Sequence, residues 1–260
     1  MNLKNKIFVV TGGNGFIGQS TIHNILKSGG KVICIGRNRN SAQLLIKKNS
    51  KDFKKNYFFI KADITEEKDL NKIKKIIYKK FNYINGIVNN AYSGKTGAVE
   101  FSKKKNFENA LNMNLFAPFK ILFDLKKLLL NGEKKFKEAS SVVNITSMYG
   151  LVSPDTRIYK SKKDFNPIEY GASKAALIQM TKYLACNFSP KKIRVNCVSL
   201  GPFPNKKVSK SLKKQLIKKV PLGRFGNVDE ASKPIKFLLS SDASFINGAN
   251  IVVDGGWTSW

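Results

Sequence analysis

The chain has 260 residues, 42% of them hydrophobic, and a formal net charge of +30. That suits one α/β domain with a full core, residues 1–260, and excludes a disordered chain. Arginine stands only at Arg37, Arg39, Arg157, Arg194 and Arg224, and lysines cover every predicted helix, which points to solvated faces drawing in anionic small molecules and not to a specific nucleic-acid reader.

Short β-branched runs alternate with longer amphipathic segments. Lys6–Thr11 reads as a strand, Phe16–Ser28 as a helix, and Lys31–Gly36 as a second strand followed by a helix near Ser41–Lys48. Tyr57–Ala62 is a third strand. Glu66–Lys80 is a helix with Leu70, Ile73, Ile76 and Ile77 inward, and Ile84–Asn89 a fourth strand. Lys103–Leu130 reads as a long helical region kinked at Pro118. Ser141–Thr146, Tyr170–Phe188 and Arg194–Ser199 continue the alternation as strand, helix and strand. Val208–Lys219 and Val228–Ser240 read as helices and Asn250–Asp254 as a last strand. The order predicts a single-domain Rossmann fold: a doubly wound parallel sheet of about seven strands with helices on both faces. Two irregular stretches, Leu151–Glu169 and Gly201–Lys207, are long enough to be substrate loops.

No apolar run is long enough to span a bilayer, and Met1-Asn2-Leu3-Lys4 runs straight into a strand instead of opening a secretion signal, so a cytoplasmic protein with no membrane partner is expected. Cys34, Cys186 and Cys197 lack metal-ligand spacing and read as reduced core thiols; no metal site is expected. His23 is the sole histidine and sits on the first predicted helix in a structural role, which argues against Ser-His-Asp catalysis.

The first strand runs into Gly12-Gly13-Asn14-Gly15-Phe16-Ile17-Gly18. A glycine turn between strand and helix lets a pyrophosphate approach the helix N-terminus, so these residues are candidate cofactor ligands. The second strand ends in Gly36-Arg37-Asn38-Arg39, without the acid that would accept from a ribose 2′-OH; its absence and the adjacent arginines favour NADP(H) over NAD(H), with Arg37 and Asn38 as candidate contacts. Asp63 and Ile64 after the third strand are placed to meet adenine, and Asn90 and Ala91 after the fourth to line the cofactor. Tyr170 and Lys174 stand four apart on one helix face, where an ammonium beside a phenol would lower the phenol's pKa.

With the glycine turn and Asp63, the motifs Asn89-Asn90-Ala91, Asn114, Ser147, Tyr170 with Lys174, Arg194-Val195-Asn196 and Val253-Asp254-Gly255-Gly256 resemble the short-chain dehydrogenase/reductase family over nearly the whole chain. The glycine turn looks like that of the family's longer branch, but length and the other motifs favour the shorter one. The resemblance implies Tyr170 as general acid/base and Lys174 as the residue that lowers its pKa and holds the nicotinamide ribose. It implies Ser147 as hydrogen-bond donor to the substrate carbonyl, and Asn114 as anchor of a proton-relaying water. It further implies a homo-oligomer, tetramer or dimer, built on helices of the 103–130 and 170–188 type.

Departures from the family pattern are Tyr92 where glycine is usual, Leu200 in place of proline before Gly201, and the long approach from Met148 to Glu169. That approach is similar to reductases of bacterial surface-sugar and flagellin-glycan biosynthesis, of legionaminic type. Tyr92, Tyr149, Asp155, Arg157 and Tyr159 are therefore candidate substrate contacts, with a polar, sugar-like small molecule as partner. The alternatives are a reductase of 3-oxoacyl thioesters or small ketones, or a non-catalytic module binding cofactor or nucleic acid on the same fold.

Overall fold

A computed structural model describes residues 1–38, 51–92, 94–204 and 208–260. Seven strands, β1 (Ile7–Thr11), β2 (Lys31–Gly36), β3 (Tyr57–Lys61), β4 (Gly86–Asn89), β5 (Ser140–Ser147), β6 (Ile193–Leu200) and β7 (Asn250–Val253), form one parallel sheet in the order β3-β2-β1-β4-β5-β6-β7. The expected Rossmann architecture is thus present. Strand bounds agree with the sequence reading to within two residues, and those of β2 agree in full.

Because side chains alternate along a strand, each of β1 to β6 feeds two cores. Ile7 and Val9, with Ile33 and Ile35, pack into one; Phe8 and Val10, with Val32 and Cys34, pack into the other. The first core is roofed by α3 (Glu67–Lys80), α5 (Ala117–Phe136) and α6 (Ile168–Phe188), through Ile73, Ile77, Leu125, Leu129, Leu184 and Phe188. The second is roofed by α1 (Phe16–Lys27) and α8 (Val228–Leu239), through Ile22, Ile25, Ile235 and Leu238. Asn227 and Glu230 close a capping box at the start of α8. Ser20 and Asn24 of α1 bond Asp229 and Ser232 of α8.

Three expectations change. The helical region after residue 103 is α4 (Lys104–Leu111) and α5, joined by a π-helical turn at Asn112–Phe116. The irregularity expected at Pro118, in the first turn of α5, takes the form of the π-helical turn that precedes it. The helix also runs on to Phe136, with Gly132 continuing its buried face. Cys186 is exposed, because it points away from the face of α6 that buries Leu184, Ala185 and Phe188. Cys34 and Cys197 are core thiols, their pKa values pushed up to about 11 by burial.

The helix expected near Ser41–Lys48 and the end of the Gly201–Lys207 stretch lie outside the described residues. A short helix missed in the sequence, α2 (Lys51–Asn56), precedes β3, and α7 (Lys210–Lys218) is shorter than expected. His23 packs its ring edge-on against Phe53, 5.4 Å between centroids.

Candidate active site

The strand order reverses between β1 and β4, and the chain leaves those strands in opposite directions. A cleft of about 620 Å³ opens there, at the carboxyl ends of the strands. It runs from Arg37, Asn38 and Asp63 past the glycine turn to Ser147, Tyr170 and Lys174.

At the turn, Gly12 has φ +62°, and a Cβ on it would lie 2.6 Å from the Cα of Ala91. A Cβ on Gly18 would lie 2.5 Å from the carbonyl oxygen of Gly12. Gly12, Asn14, Gly15, Phe16 and Ile17 line the cleft; Gly13 instead packs against Ile22 and Cys34, and Gly18 backs the turn from inside the helix. Gly15 caps α1 without any side-chain bond, and its first turn holds no acid. The free N–H groups and the positive helix end therefore face the cleft uncompensated, which fits a pyrophosphate.

Asn90 is committed to the turn: its amide donates to the carbonyls of Thr11 (3.2 Å) and Gly12 (3.0 Å). Thr11 Oγ1 in turn accepts from the backbones of Asn90 and Ala91, both at 3.1 Å. At the far end, the Arg37 guanidinium lies 3.6 Å from the Asp63 carboxylate. Asp63 also accepts from the backbone and hydroxyl of Thr65, at 3.0 and 2.7 Å. Burial acts to raise its pKa, but the Thr65 bonds and Arg37 outweigh it and hold the carboxyl below its usual range.

At the near end β5 delivers Ser147 and α6 delivers Tyr170 and Lys174. Ser147 Oγ accepts from the Tyr149 backbone N–H at 3.1 Å as cap of a short turn, so its own proton is directed to Tyr170 or to a ligand in the cleft. Lys174 is buried, and its Nζ donates to the Ile145 carbonyl at 2.8 Å. Burial brings its pKa down to about 8. The sequence expectation for Tyr170 is corrected here: burial raises its pKa, and only the neighbouring Ser147 hydroxyl pulls it down. The ammonium expected to lower it lies 5.9 Å from the ring centroid and is turned to Ile145.

Asn114 stands behind the cleft, in the π turn. Its Nδ2 donates to Ser173 Oγ at 3.0 Å, and its Oδ1 is buried without a protein partner. Pro118, four residues on, has no N–H to return to the Asn114 carbonyl, which accounts for the irregular helix at this point.

Of the substrate candidates, only Tyr92 lines the cleft. Its ring meets that of Tyr170 edge to face, 5.0 Å between centroids. Asp155 receives a bidentate bond from Arg157 (2.9 and 3.0 Å) and a second ion pair from Lys219 (2.5 Å), while the hydroxyls of Tyr149 and Tyr159 meet at 3.3 Å. Those polar groups are spent on each other.

The motif residues Asn89 and Asn144 have a supporting role that sequence reading did not assign. Asn89 bonds Asn144 (2.8 Å) and Asn144 bonds Thr181 (2.9 Å), a buried chain tying β4, β5 and α6. Leu200 and Phe203 also line the cleft. Asn144, three residues before Ser147, points to the opposite face of β5, toward α6, so its place in the motif did not show this supporting role.

A family model described as enoyl-(acyl carrier protein) reductase matches residues 14–258. A short-chain type dehydrogenase/reductase of Sinorhizobium fredii is 30% identical over 98% of the chain, although the chain spans only 44% of that protein's length. The chain belongs to the short-chain dehydrogenase/reductase family.

Among other members, a 7alpha-hydroxysteroid dehydrogenase of Bacteroides fragilis is 30% identical, covering 98% of this chain and 95% of its own. Post-translational flagellin modification protein A of Campylobacter coli is 27% identical, covering 98% and 99%. The crystal structure of a short-chain dehydrogenase from Leptospira borgpetersenii with bound NAD+ superposes with a TM-score of 0.82 at 30% identity, covering 99% of this chain and 94% of that one. The protein is thus an oxidoreductase of a nicotinamide-dependent family.

Proposed function

We propose that this short-chain dehydrogenase/reductase uses NADP(H) to interconvert a carbonyl and an alcohol on a sugar or sugar derivative in surface-glycan biosynthesis. The observation that carries the proposal is the single cleft joining the uncapped glycine turn to Ser147, Tyr170 and Lys174. The backbone N–H groups at the start of α1 would hold the pyrophosphate, Lys174 the nicotinamide ribose, and Arg37 the 2′-phosphate. The cofactor supplies, when bound, the hydride-transfer chemistry at the carbonyl carbon.

The chain's own part is proton handling. A carbonyl oxygen at the near end would accept from the Ser147 hydroxyl and take a proton from Tyr170, whose burial keeps it protonated at neutral pH. In the opposite direction Tyr170 must first lose that proton. Lys174 keeps donors beyond the one given to Ile145, and the unpartnered Oδ1 of Asn114 suits a water on the proton path.

Arg37 supports the phosphate preference, since no acid ends β2; its contact with Asp63 still leaves the guanidinium largely in solvent. The sugar reading rests on the resemblance of the long approach to α6 and on the likeness to the flagellin modification protein. Relatives named 3-oxoacyl-[acyl-carrier-protein] reductase, 29% and 27% identical over 98% of this chain, support a second reading, reduction of a 3-oxoacyl thioester.

Apolar side chains exposed along α4, the π-helical turn and α5, among them Phe107, Leu111, Phe116, Phe119 and Phe123, support a homo-oligomer built on that face. No helix of the described residues is long and apolar enough to cross a membrane, and we place the enzyme in the cytoplasm.

Following NADPH and NADH consumption with keto-sugars and a 3-oxoacyl thioester tests the proposal. A lower KM for NADPH and turnover of the keto-sugar are expected. An NADH preference overturns the cofactor assignment, and exclusive turnover of the thioester overturns the sugar assignment.

A further inference from the structure

The loop leaving β4 carries one aromatic side chain into the cleft. Tyr92 stands edge to face with Tyr170, 5.0 Å between centroids and 66° between planes, yet half its surface stays open. It lines the same cleft as Ser147 and Lys174. A molecule offering its carbonyl to Ser147 and Tyr170 therefore meets the Tyr92 ring beside them. Burial first, then the neighbouring Tyr170 and Glu169, push the Tyr92 pKa up to about 12, so the ring remains a neutral phenol through the physiological range.

The loop that carries this ring is anchored. Beyond Tyr92, the Gly97 N–H donates to the Phe165 carbonyl at 2.9 Å, Lys162 pairs with Glu100 at 2.6 Å, and Ser102 donates to Glu169 at 2.5 Å. Glu169 is buried and directly precedes Tyr170 on α6. The loop is thus tied both to the long approach and to the helix that carries the proton donor. Gly94 lies under the Tyr92 hydroxyl so closely that a Cβ there would strike it.

We infer that Tyr92 is a specificity-determining wall which selects a cyclic carbonyl compound with a flat C–H face over a flexible straight-chain one. This rests on the carbonyl-oxidoreductase reading above. A fixed aromatic face offers a large, flat contact area to C–H groups. A ring substrate uses it at little entropic cost, whereas a flexible chain must order several bonds to lie along it.

The test compares kcat/KM for a cyclic keto-sugar with that for a straight-chain 3-oxoacyl thioester, with NADPH, in the purified full-length protein. In Tyr92→Ala the ratio of ring to chain is expected to fall about tenfold, carried mainly by KM for the ring compound. Tyr92→Phe is expected to keep the ratio, since the ring and not the hydroxyl is the contact. Gly94→Ala, which pushes the ring without removing it, is expected to lower the ratio by about threefold. NADPH fluorescence and the thermal midpoint confirm folding of each variant.

An unchanged ratio in Tyr92→Ala overturns the inference, as does an equal loss for both substrates or a loss in Tyr92→Phe as large as in Tyr92→Ala. A wild-type enzyme that prefers the chain overturns it while leaving carbonyl reduction standing. Failure to bind NADPH or to turn over either substrate removes the underlying reading, and the inference with it.

Discussion

The two ends of the cleft are built by different means. At the glycine turn the surface offered to a ligand is mostly backbone: Gly12 and Gly15, with the uncapped start of α1, and Asn90 bracing them through carbonyls. At the carbonyl end it is side chains from three separated segments, Ser147 from β5, Tyr170 and Lys174 from α6, and Tyr92 from the loop after β4. A backbone site depends on few residue identities and tolerates little change in them. A side-chain site can change its selectivity by a single substitution while its frame stays in place. The two ends should accordingly fail differently under mutation.

The largest expected effect lies at the carbonyl end. Tyr170→Phe removes the proton donor and leaves the ring, so kcat should fall by about a hundredfold to ten-thousandfold while NADPH binding persists. Stopped-flow NADPH binding alongside steady-state turnover reads both. Loss of binding in step with turnover would erase the contrast between the ends.

The converse change is Gly12→Ala. Its φ of +62° and the 2.6 Å approach to Ala91 make any Cβ costly. Strain of this kind corresponds to about a tenfold to hundredfold weaker cofactor Kd. A variant with normal affinity would show that the turn accommodates a side chain and that its geometry is not what selects glycine.

Lys174 joins the two ends and gives a pH signature. Burial lowers its pKa from 10.5 in the unfolded chain to about 8 in the fold. Between those values the unfolded state binds more protons than the native state, so stability contributed by this group rises with pH across that window. Below about pH 8 both states are charged and the full cost of burying the ammonium is present. Turnover should run the other way, since reduction loses the ammonium as pH passes about 8. Lys174→Met should flatten the rise in thermal midpoint between pH 8 and 10.5 relative to wild type. A parallel rise in the variant would assign the effect to other groups.

The same contrast explains what could be read before the fold was known. The alternation of strands and helices and the glycine turn are local patterns, and β1 through α1 folds as the sequence indicates. Tyr170, Lys174 and Ser147 were legible as a family motif, and the fold brings them to one cleft. The ionisation of Tyr170 was not legible. A spacing of four residues places Lys174 on its face but does not show that the Ile145 carbonyl engages the ammonium. Nor could the roles within the long approach be read, because Asp155 and Lys219 are far apart in sequence and meet only in three dimensions. A polar residue in a loop has the same appearance whether it faces a substrate or another side chain.

Asp155 gives the smallest expected effect and the sharpest check on that last point. Arg157 first, then Lys219, hold its carboxyl far below the usual carboxylate range. A lowered pKa means that the stabilisation is present above the unfolded value of 3.8 and is lost as pH falls below it. Arg157 nevertheless lies in solvent, and exposed pairs contribute little. Asp155→Asn should therefore change kcat and KM by less than about threefold. Its trace should appear in hydrogen exchange, with faster exchange of amides 151–160, and the difference from wild type should shrink in high salt as screening weakens the ion pairs. A KM for the keto-sugar raised tenfold or more, with exchange unchanged, would mean that the carboxylate serves the substrate and not the loop. The carbonyl end would then extend beyond the cleft walls to the long approach, as the sequence alone suggests.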